Sequence, residues 1–166
     1  MSVKAIARGA IAAMLAAFVY AATAQPTAPP PTPYGPSINL ENAKKAAAAS
    51  IAEARKNNWT MAIAVTDIAG NLVYFEKIDG TQTASVNIAI GKSRSAAIFK
   101  RPTKAFMDDL AAGGYGLRIL ALEGAVPVEG GVPIVSEGKV IGGIGASGGS
   151  GQQDGVVAQA GANALK

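Results

Sequence analysis

Residues 130–154 read GGVPIVSEGKVIGGIGASGGSGQQD, and we expect the rest of the chain to be organised around them. Two strand-like runs, 132–135 and 140–144, lie on either side of a Ser-Glu-Gly-Lys turn and predict a β-hairpin. Beyond the glycines, Ser150 and Gln153 have the spacing of a capping box, which marks the start of a helix. The stretch therefore predicts a hairpin that opens into the final helix.

Two known motifs, one for cofactor binding and one for catalysis, match this stretch, but the other residues that each motif requires are missing. The pattern GxGxxG at Gly143, Gly145 and Gly148 needs a further strand and an acidic residue about 20 positions on, and the printed sequence ends before them. The pattern GxSxG at Ser147 needs a histidine base, and the chain has no histidine. We therefore expect neither a dinucleotide site nor a serine nucleophile, and we assign no catalytic residue.

Upstream of this stretch the same reasoning predicts a second hairpin and three helices. The hairpin comprises 61–66 and 71–76, and the helices follow Asn39, span 83–99 and span 103–111. Residues 115–122 are apolar but too short to assign to a helix or a strand by period. Locally paired strands with helices grouped between them predict an α+β sandwich with an antiparallel sheet.

The N-terminal residues predict export. Residues 1–24 carry Lys4 and Arg8, then an apolar run, then a small-residue cleavage site at Ala22-Thr23-Ala24, which is the pattern of a signal peptide. The apolar run is shorter than the roughly 20 residues that span a bilayer. Residues 25–36 are proline-rich and predict an extended linker, so the folded domain is expected at 37–166. We expect a periplasmic or secreted protein with no membrane contact after cleavage.

Charge and cysteine content exclude several classes of partner. Removal of Lys4 and Arg8 lowers the net charge from +4 to about +2, and no basic stripe with interleaved aromatic residues remains, so nucleic acid is not expected. The absence of cysteine excludes disulfides and thiolate metal sites. The acidic pair Asp108-Asp109 has no histidine near it, so no metal site is expected.

Five segments, in order, resemble the GlcG/HbpS family of haem-binding proteins, which includes the C-terminal domain of PduO-type adenosyltransferases. They are TDIAGNLVYFEKIDG at 66–80, KSRSAA at 92–97, Pro102-Thr103, GGVPI at 130–134 and GGIGASGGSGQQD at 142–154. The resemblance covers about 38–166. It implies a profilin-like sandwich with an antiparallel sheet of about five strands flanked by helices, assembly into homo-oligomers, haem binding in some members, and haem degradation.

The candidate ligand-binding residues each have a structural alternative. Lys92 and Arg94 have the chemistry of a cationic clamp for propionates, or they belong to a solvated helix face. Asp154 either binds a ligand or interacts with the dipole of the final helix. The third group consists of glycines and a serine that allow close backbone approach to a ligand, with the amides at the start of the final helix as an anion site, or else form a tight corner or a subunit contact. Its members are Gly130, Gly131, Ser147 and Gly148.

A haem in this chain would lack the histidine ligand that many haem proteins use. The candidate haem-facing residues are therefore Tyr74, Met107 and Tyr115, whose alternative role is in the core or an interface. The leading hypothesis is an exported small-molecule binding protein that takes haem or a related tetrapyrrole. The alternatives are an enzyme or accessory subunit that acts on a small organic acid held by Lys92 and Arg94, and a structural oligomerisation module.

Overall fold

A computed structural model describes residues 30–166, so the expected signal peptide and the start of the expected linker lie outside the described residues. In chain order the elements are α1 (Leu40–Lys56), β1 (Ala62–Thr66), β2 (Leu72–Lys77), α2 (Ser85–Phe99), α3 (Thr103–Ala111), a 3-10 helix (Gly114–Ala121), β3 (Gly131–Ser136), β4 (Lys139–Ser147) and α4 (Gly151–Asn163). Within 30–166, every helix is too short or too polar to cross a membrane.

The two hairpins join at the centre of one antiparallel sheet, whose strand order is β2-β1-β4-β3. Helices α1 and α4 cover one face, where Ile63, Val65 and Ile144 enter the main core. Helix α2 covers the other face. The predicted α+β class with a helix-flanked antiparallel sheet is confirmed, and the described part of the sheet has four strands rather than about five.

Helix starts follow the local signals in the sequence. The Asn39 side chain accepts a hydrogen bond from the amide of Asn42 at 2.8 Å and caps α1. At α4 both halves of the predicted capping box between Ser150 and Gln153 are present. The segment that periodicity could not assign lies mostly in the 3-10 helix, which begins at the second of two consecutive glycines with positive φ.

The packed domain starts before the expected boundary at residue 37. Strand β4 is longer than β1, and the residues of β4 before Gly143 extend beyond the segment that pairs with β1. The backbone of the proline-rich segment occupies this overhang: the Val140 amide donates to Pro33 at 2.9 Å, and the Gly35 amide donates back to Val140 at 2.9 Å. The hydroxyl of Tyr34 donates to the carbonyl of Ile98 at 2.8 Å. The end of the expected linker is therefore part of the fold.

The glycines of β4 allow α2 to lie in direct backbone contact with the sheet. A methyl group on Gly145 would overlap the carbonyl oxygen of Ala89, and one on Gly143 would overlap the carbonyl oxygen of Ser93. The Ser93 hydroxyl uses this proximity and donates to the Gly143 carbonyl at 2.9 Å. Small residues on β1, Ala62 and Ala64, complete the flat surface on which α2 rests.

We expect Gly145→Ala and Gly91→Ala to change stability in opposite directions. Gly145→Ala forces α2 away from β4 and lowers the free energy of unfolding by about 1–3 kcal/mol. Gly91 lies on α2, where an added methyl meets only Val126 at an ordinary 3.4 Å, so the better helix propensity of alanine stabilises the fold by up to about 1 kcal/mol. Urea unfolding of both variants measures these changes, and a neutral Gly145→Ala would contradict the close-contact argument.

Candidate functional site

A cleft of about 640 Å³ opens beside the start of β3 and along α4. We call it the α4 cleft. Its lining combines apolar side chains, glycine backbone, amide side chains and three charged groups. The lining residues are Glu53, Pro102, Lys104, Glu129, Gly130, Gly131, Val132, Gln152, Gly155, Val156, Gln159, Ala160 and Asn163.

One wall of the α4 cleft is a single face of α4. Positions 152, 155, 156, 159, 160 and 163 recur every three or four residues and therefore lie on one side of the helix. The opposite face, which includes Val157 and Ala158, is fully buried in the core. Val156 is 50% exposed although it is apolar. The exposed face of α4 thus offers a small, partly apolar surface beside a long opening.

A second wall is the glycine pair at the start of β3. Gly130 has φ +121°, a conformation that L side chains rarely adopt, and a Cβ on it would lie 2.8 Å from the ammonium nitrogen of Lys92. Its carbonyl accepts from the Ala146 amide at 2.8 Å. The amide of Gly131 donates to the hydroxyl of Thr103 at 2.9 Å. The wall is thereby tied to both β4 and α3.

Behind the glycine wall lies a buried ion pair. The Lys92 ammonium donates to the Asp154 carboxylate at 2.7 Å and to the Ala146 carbonyl at 3.1 Å, and the two side chains are only 1% and 5% exposed. The other carboxylate oxygen of Asp154 accepts from the Gly149 amide at 3.0 Å. The pair therefore connects α2, the end of β4 and the first turn of α4.

Burial dominates the electrostatics of this pair. Desolvation raises the pKa of Asp154 above its ordinary value, and the hydrogen bonds from Lys92 and from the Gly149 amide act in the opposite direction. A cation and an anion that are withdrawn together from water are costly to separate, because either one left alone would be an uncompensated buried charge. The arrangement thus makes the position of α4 depend on α2.

The mouth of the α4 cleft carries charge of both signs. Lys104, at the start of α3, contacts both carboxylate oxygens of Asp108 at 2.7 Å, and this hydrogen bonding raises its pKa. Glu129 lies beside the first turn of α4, and a Cβ added at Gly155 would lie 2.8 Å from its carboxylate. The pair between Lys104 and Asp108 is exposed to solvent, so Lys104 is able to exchange this partner for another anion at small cost.

The structure brings together some of the predicted site residues. Gly130 and Gly131 line the α4 cleft, and Lys92 and Asp154 lie directly behind them. The solvated-face interpretation is wrong for Lys92, which is buried. The clamp of Lys92 with Arg94 is not formed, because Lys92 is committed to Asp154 while Arg94 is exposed and its side chain lies over Gly70.

Three of the amides around the start of α4, where the sequence offered an anion site, already have partners within the chain. Asp154 accepts from the amide of Gly149 at 3.0 Å, and Gln153 accepts from the amide of Ser150 at 2.9 Å. The amide of Gln153 in turn donates to the Ser150 hydroxyl. Ser147 is the last residue of β4, and the backbone of Gly148, which follows it, passes close to Thr60. These contacts form a tight corner between β4 and α4.

The three candidate haem-facing residues lie outside the α4 cleft. Tyr74 is on β2, and its hydroxyl donates to Glu76 at 3.2 Å. Met107 is half-buried on α3. Tyr115 is 82% exposed on the 3-10 helix, where the guanidinium of Arg118 lies 4.4 Å from its ring. Within 30–166, no group of three or more acidic residues has the geometry of a metal site.

Of the residues that line the α4 cleft, only Gly130 and Gly131 were predicted as site residues. Those that sequence reasoning missed include Lys104, Glu129, Val156 and Ala160. Lys104 and Glu129 each adjoin a segment of the family resemblance, the first after Pro102-Thr103 and the second before GGVPI. The residues on α4 have helical spacing, which was a usable signal. Which face of α4 would be open depends on packing against α1, and no local pattern carries that information.

Comparisons with known proteins agree with this fold. The family model described as haem degrading protein HbpS-like matches residues 38–163. Protein GlcG of Escherichia coli K12 is 36% identical over 114 residues, which cover 66% of this chain and 81% of GlcG.

Two solved structures are similar in shape. A double mutant of HbpS from Streptomyces reticuli superposes with a TM-score of 0.73 at 30% identity, covering 85% of this chain and 99% of that one. The haem complex of PduOC has a TM-score of 0.70, covering 78% and 96% of the two chains. At 23% identity, the likeness to PduOC supports the fold alone.

We expect Lys92→Met to destabilise the protein by about 3–5 kcal/mol, because it leaves the Asp154 carboxylate buried without its cation. The double variant K92M/D154N loses less than the sum of the two single variants, by about 0.5–3 kcal/mol, since the interaction is removed only once. Lys104→Met is the matched control: it breaks a pair with the same 2.7 Å distance at the surface and leaves stability nearly unchanged. Urea unfolding measures the free energy of unfolding of K92M, D154N, the double variant and K104M, each relative to the unmodified protein.

Equal losses for Lys92→Met and Lys104→Met, or additive losses in the double variant, would contradict a structural role for the buried pair.

Proposed function

Because the chain belongs to the HbpS-like family of haem-degrading proteins, we propose that it is an exported small-molecule binding protein whose α4 cleft takes haem or a related tetrapyrrole. The observation that carries the proposal is the cleft itself, which combines suitable size, an apolar wall and a cation at the mouth. The signal-peptide pattern of residues 1–24 supports export.

The size and lining of the α4 cleft suit a flat, largely apolar ligand. Its volume of about 640 Å³ lies within the range of roughly 300–1,000 Å³ that small-molecule sites occupy. Val132, Val156 and Ala160 provide apolar contact, and the glycine wall allows a ring to approach the backbone closely. Burial of apolar ring surface supplies the main part of the binding free energy in such a site.

Carboxylate groups of the ligand would meet Lys104 at the mouth. Its exposed pair with Asp108 is weak, so a propionate is able to compete for the ammonium. Amide side chains of Gln152, Gln159 and Asn163 add hydrogen-bond donors along α4. Lys104 therefore takes the role that the sequence suggested for Lys92 and Arg94.

The residues present do not fit axial ligation of haem iron from the cleft. The chain contains no histidine or cysteine, and the cleft lining includes no tyrosine or methionine. We assign ring and carboxylate binding to this site and no catalytic step. An organic-acid enzyme has less support, because the two cations on which that hypothesis depended point to different parts of the molecule.

We expect the chain, expressed with residues 1–24 in a bacterial host, to be recovered from a periplasmic extract with Gln25 as its first residue. Intact mass measures this cleavage. We expect the same protein to bind hemin saturably. Ala160→Phe fills the α4 cleft and weakens hemin binding by about tenfold or more, the equivalent of roughly 1.4 kcal/mol. Ala48→Phe, the same change on the exposed side of α1, leaves hemin affinity unchanged. Titration of the Soret band measures each affinity, and thermal unfolding verifies that the variants fold.

A chain that retains Met1 would overturn export. Absence of saturable hemin binding at micromolar protein would overturn the ligand, and equal effects of the two phenylalanine variants would overturn the site.

A further inference from the structure

Among residues 30–166, the side chains that haem proteins commonly use to hold iron are absent, engaged in other contacts or outside the lining of the α4 cleft. Histidine and cysteine are absent from the sequence. The hydroxyl of Tyr34 donates to two α2 carbonyls, and that of Tyr74 donates to Glu76. Met61 is fully buried in the core. Tyr115 and Met107 lie on the 3-10 helix and α3, and neither lines the α4 cleft.

The α4 cleft offers a different set of contacts. Its apolar side chains, Pro102, Val132, Val156 and Ala160, suit the faces and edges of a flat ring, and its glycine backbone presents no bulk. Lys104 suits a carboxylate at the ring edge. Each of these groups recognises features that a porphyrin has with or without a metal, and none of them is a usual partner of iron.

From this geometry, and resting on the function proposed above, we propose that the α4 cleft recognises the porphyrin ring and its carboxylates rather than the iron. Affinity then follows apolar surface burial and the charge at the ring edge. The ligand class is dicarboxylic porphyrins in general, including iron-free ones. Central-metal identity has little influence on binding.

Lys104 is the cation in the lining of the α4 cleft, which also includes the carboxylates of Glu53 and Glu129. Its replacement distinguishes ring recognition from carboxylate recognition. Lys104→Gln keeps a flexible polar side chain, one atom shorter, but removes its charge. Lys45→Gln removes a charge from the exposed surface of α1 away from the cleft and is the matched control. Both variants have solvent-exposed side chains, so we expect both to fold.

The experiment compares hemin, protoporphyrin IX, zinc protoporphyrin and protoporphyrin dimethyl ester in Soret titrations of the mature protein. The proposal predicts Kd values for the first three that agree within about threefold, and an ester that binds about tenfold more weakly because it has no carboxylate charge. Lys104→Gln weakens the three free acids by about three- to tenfold and leaves the ester unchanged. Lys45→Gln changes none of them.

Each alternative outcome has a separate meaning. Hemin that binds more than about tenfold tighter than protoporphyrin IX would overturn metal-independent recognition while the proposed function stands. A dimethyl ester as tight as the free acid would overturn the role of carboxylate charge. Absence of binding by all four porphyrins would overturn the proposed function itself.

Discussion

Close contact between helix α2 and strand β4 is the constraint on which the rest of the molecule depends. Gly143 and Gly145 carry no side chains, so α2 lies directly against the sheet backbone. At this distance Lys92 reaches both the Ala146 carbonyl and the Asp154 carboxylate. The pair fixes the first turn of α4 against β4, and the backbone of Gly130 closes over it. The absence of side chains at Gly143 and Gly145 therefore sets the position of one wall of the α4 cleft.

Local signals were sufficient to predict the framework. The turn residues of both hairpins, the Asn39 cap and the capping box at Ser150 act within a few residues of one another, so the sequence carries them directly. The segment 115–122 was not predictable because its apolar run is too short for the period to distinguish a helix from a strand. The packing of residues 33–36 required knowledge that β4 extends beyond its pairing with β1.

The site depended on contacts between distant parts of the chain. Lys92 and Asp154 are 62 positions apart, so nothing in the sequence near Lys92 shows that it is buried. Gly130, Gly131 and Asp154 lie close together in the structure, and the amides of Gly149 and Ser150 beside them already donate to side chains of α4. In the proposed function, Lys104 on α3 supplies the cation that the sequence predicted on α2. In the same proposal, the ring of the ligand lies against the glycine backbone and a carboxylate is held at this exposed lysine.

Paramagnetic NMR tests the location of the ligand most directly. Ferric hemin broadens nearby amide signals of ¹⁵N-labelled protein, and diamagnetic zinc protoporphyrin is the control for effects of the ring alone. The account predicts loss of the Gly131, Gly155 and Val156 signals with hemin, and retention of those of Ala69 and Leu72 in the first hairpin. Broadening centred on the exposed 3-10 helix, with the α4 signals unaffected, would contradict it.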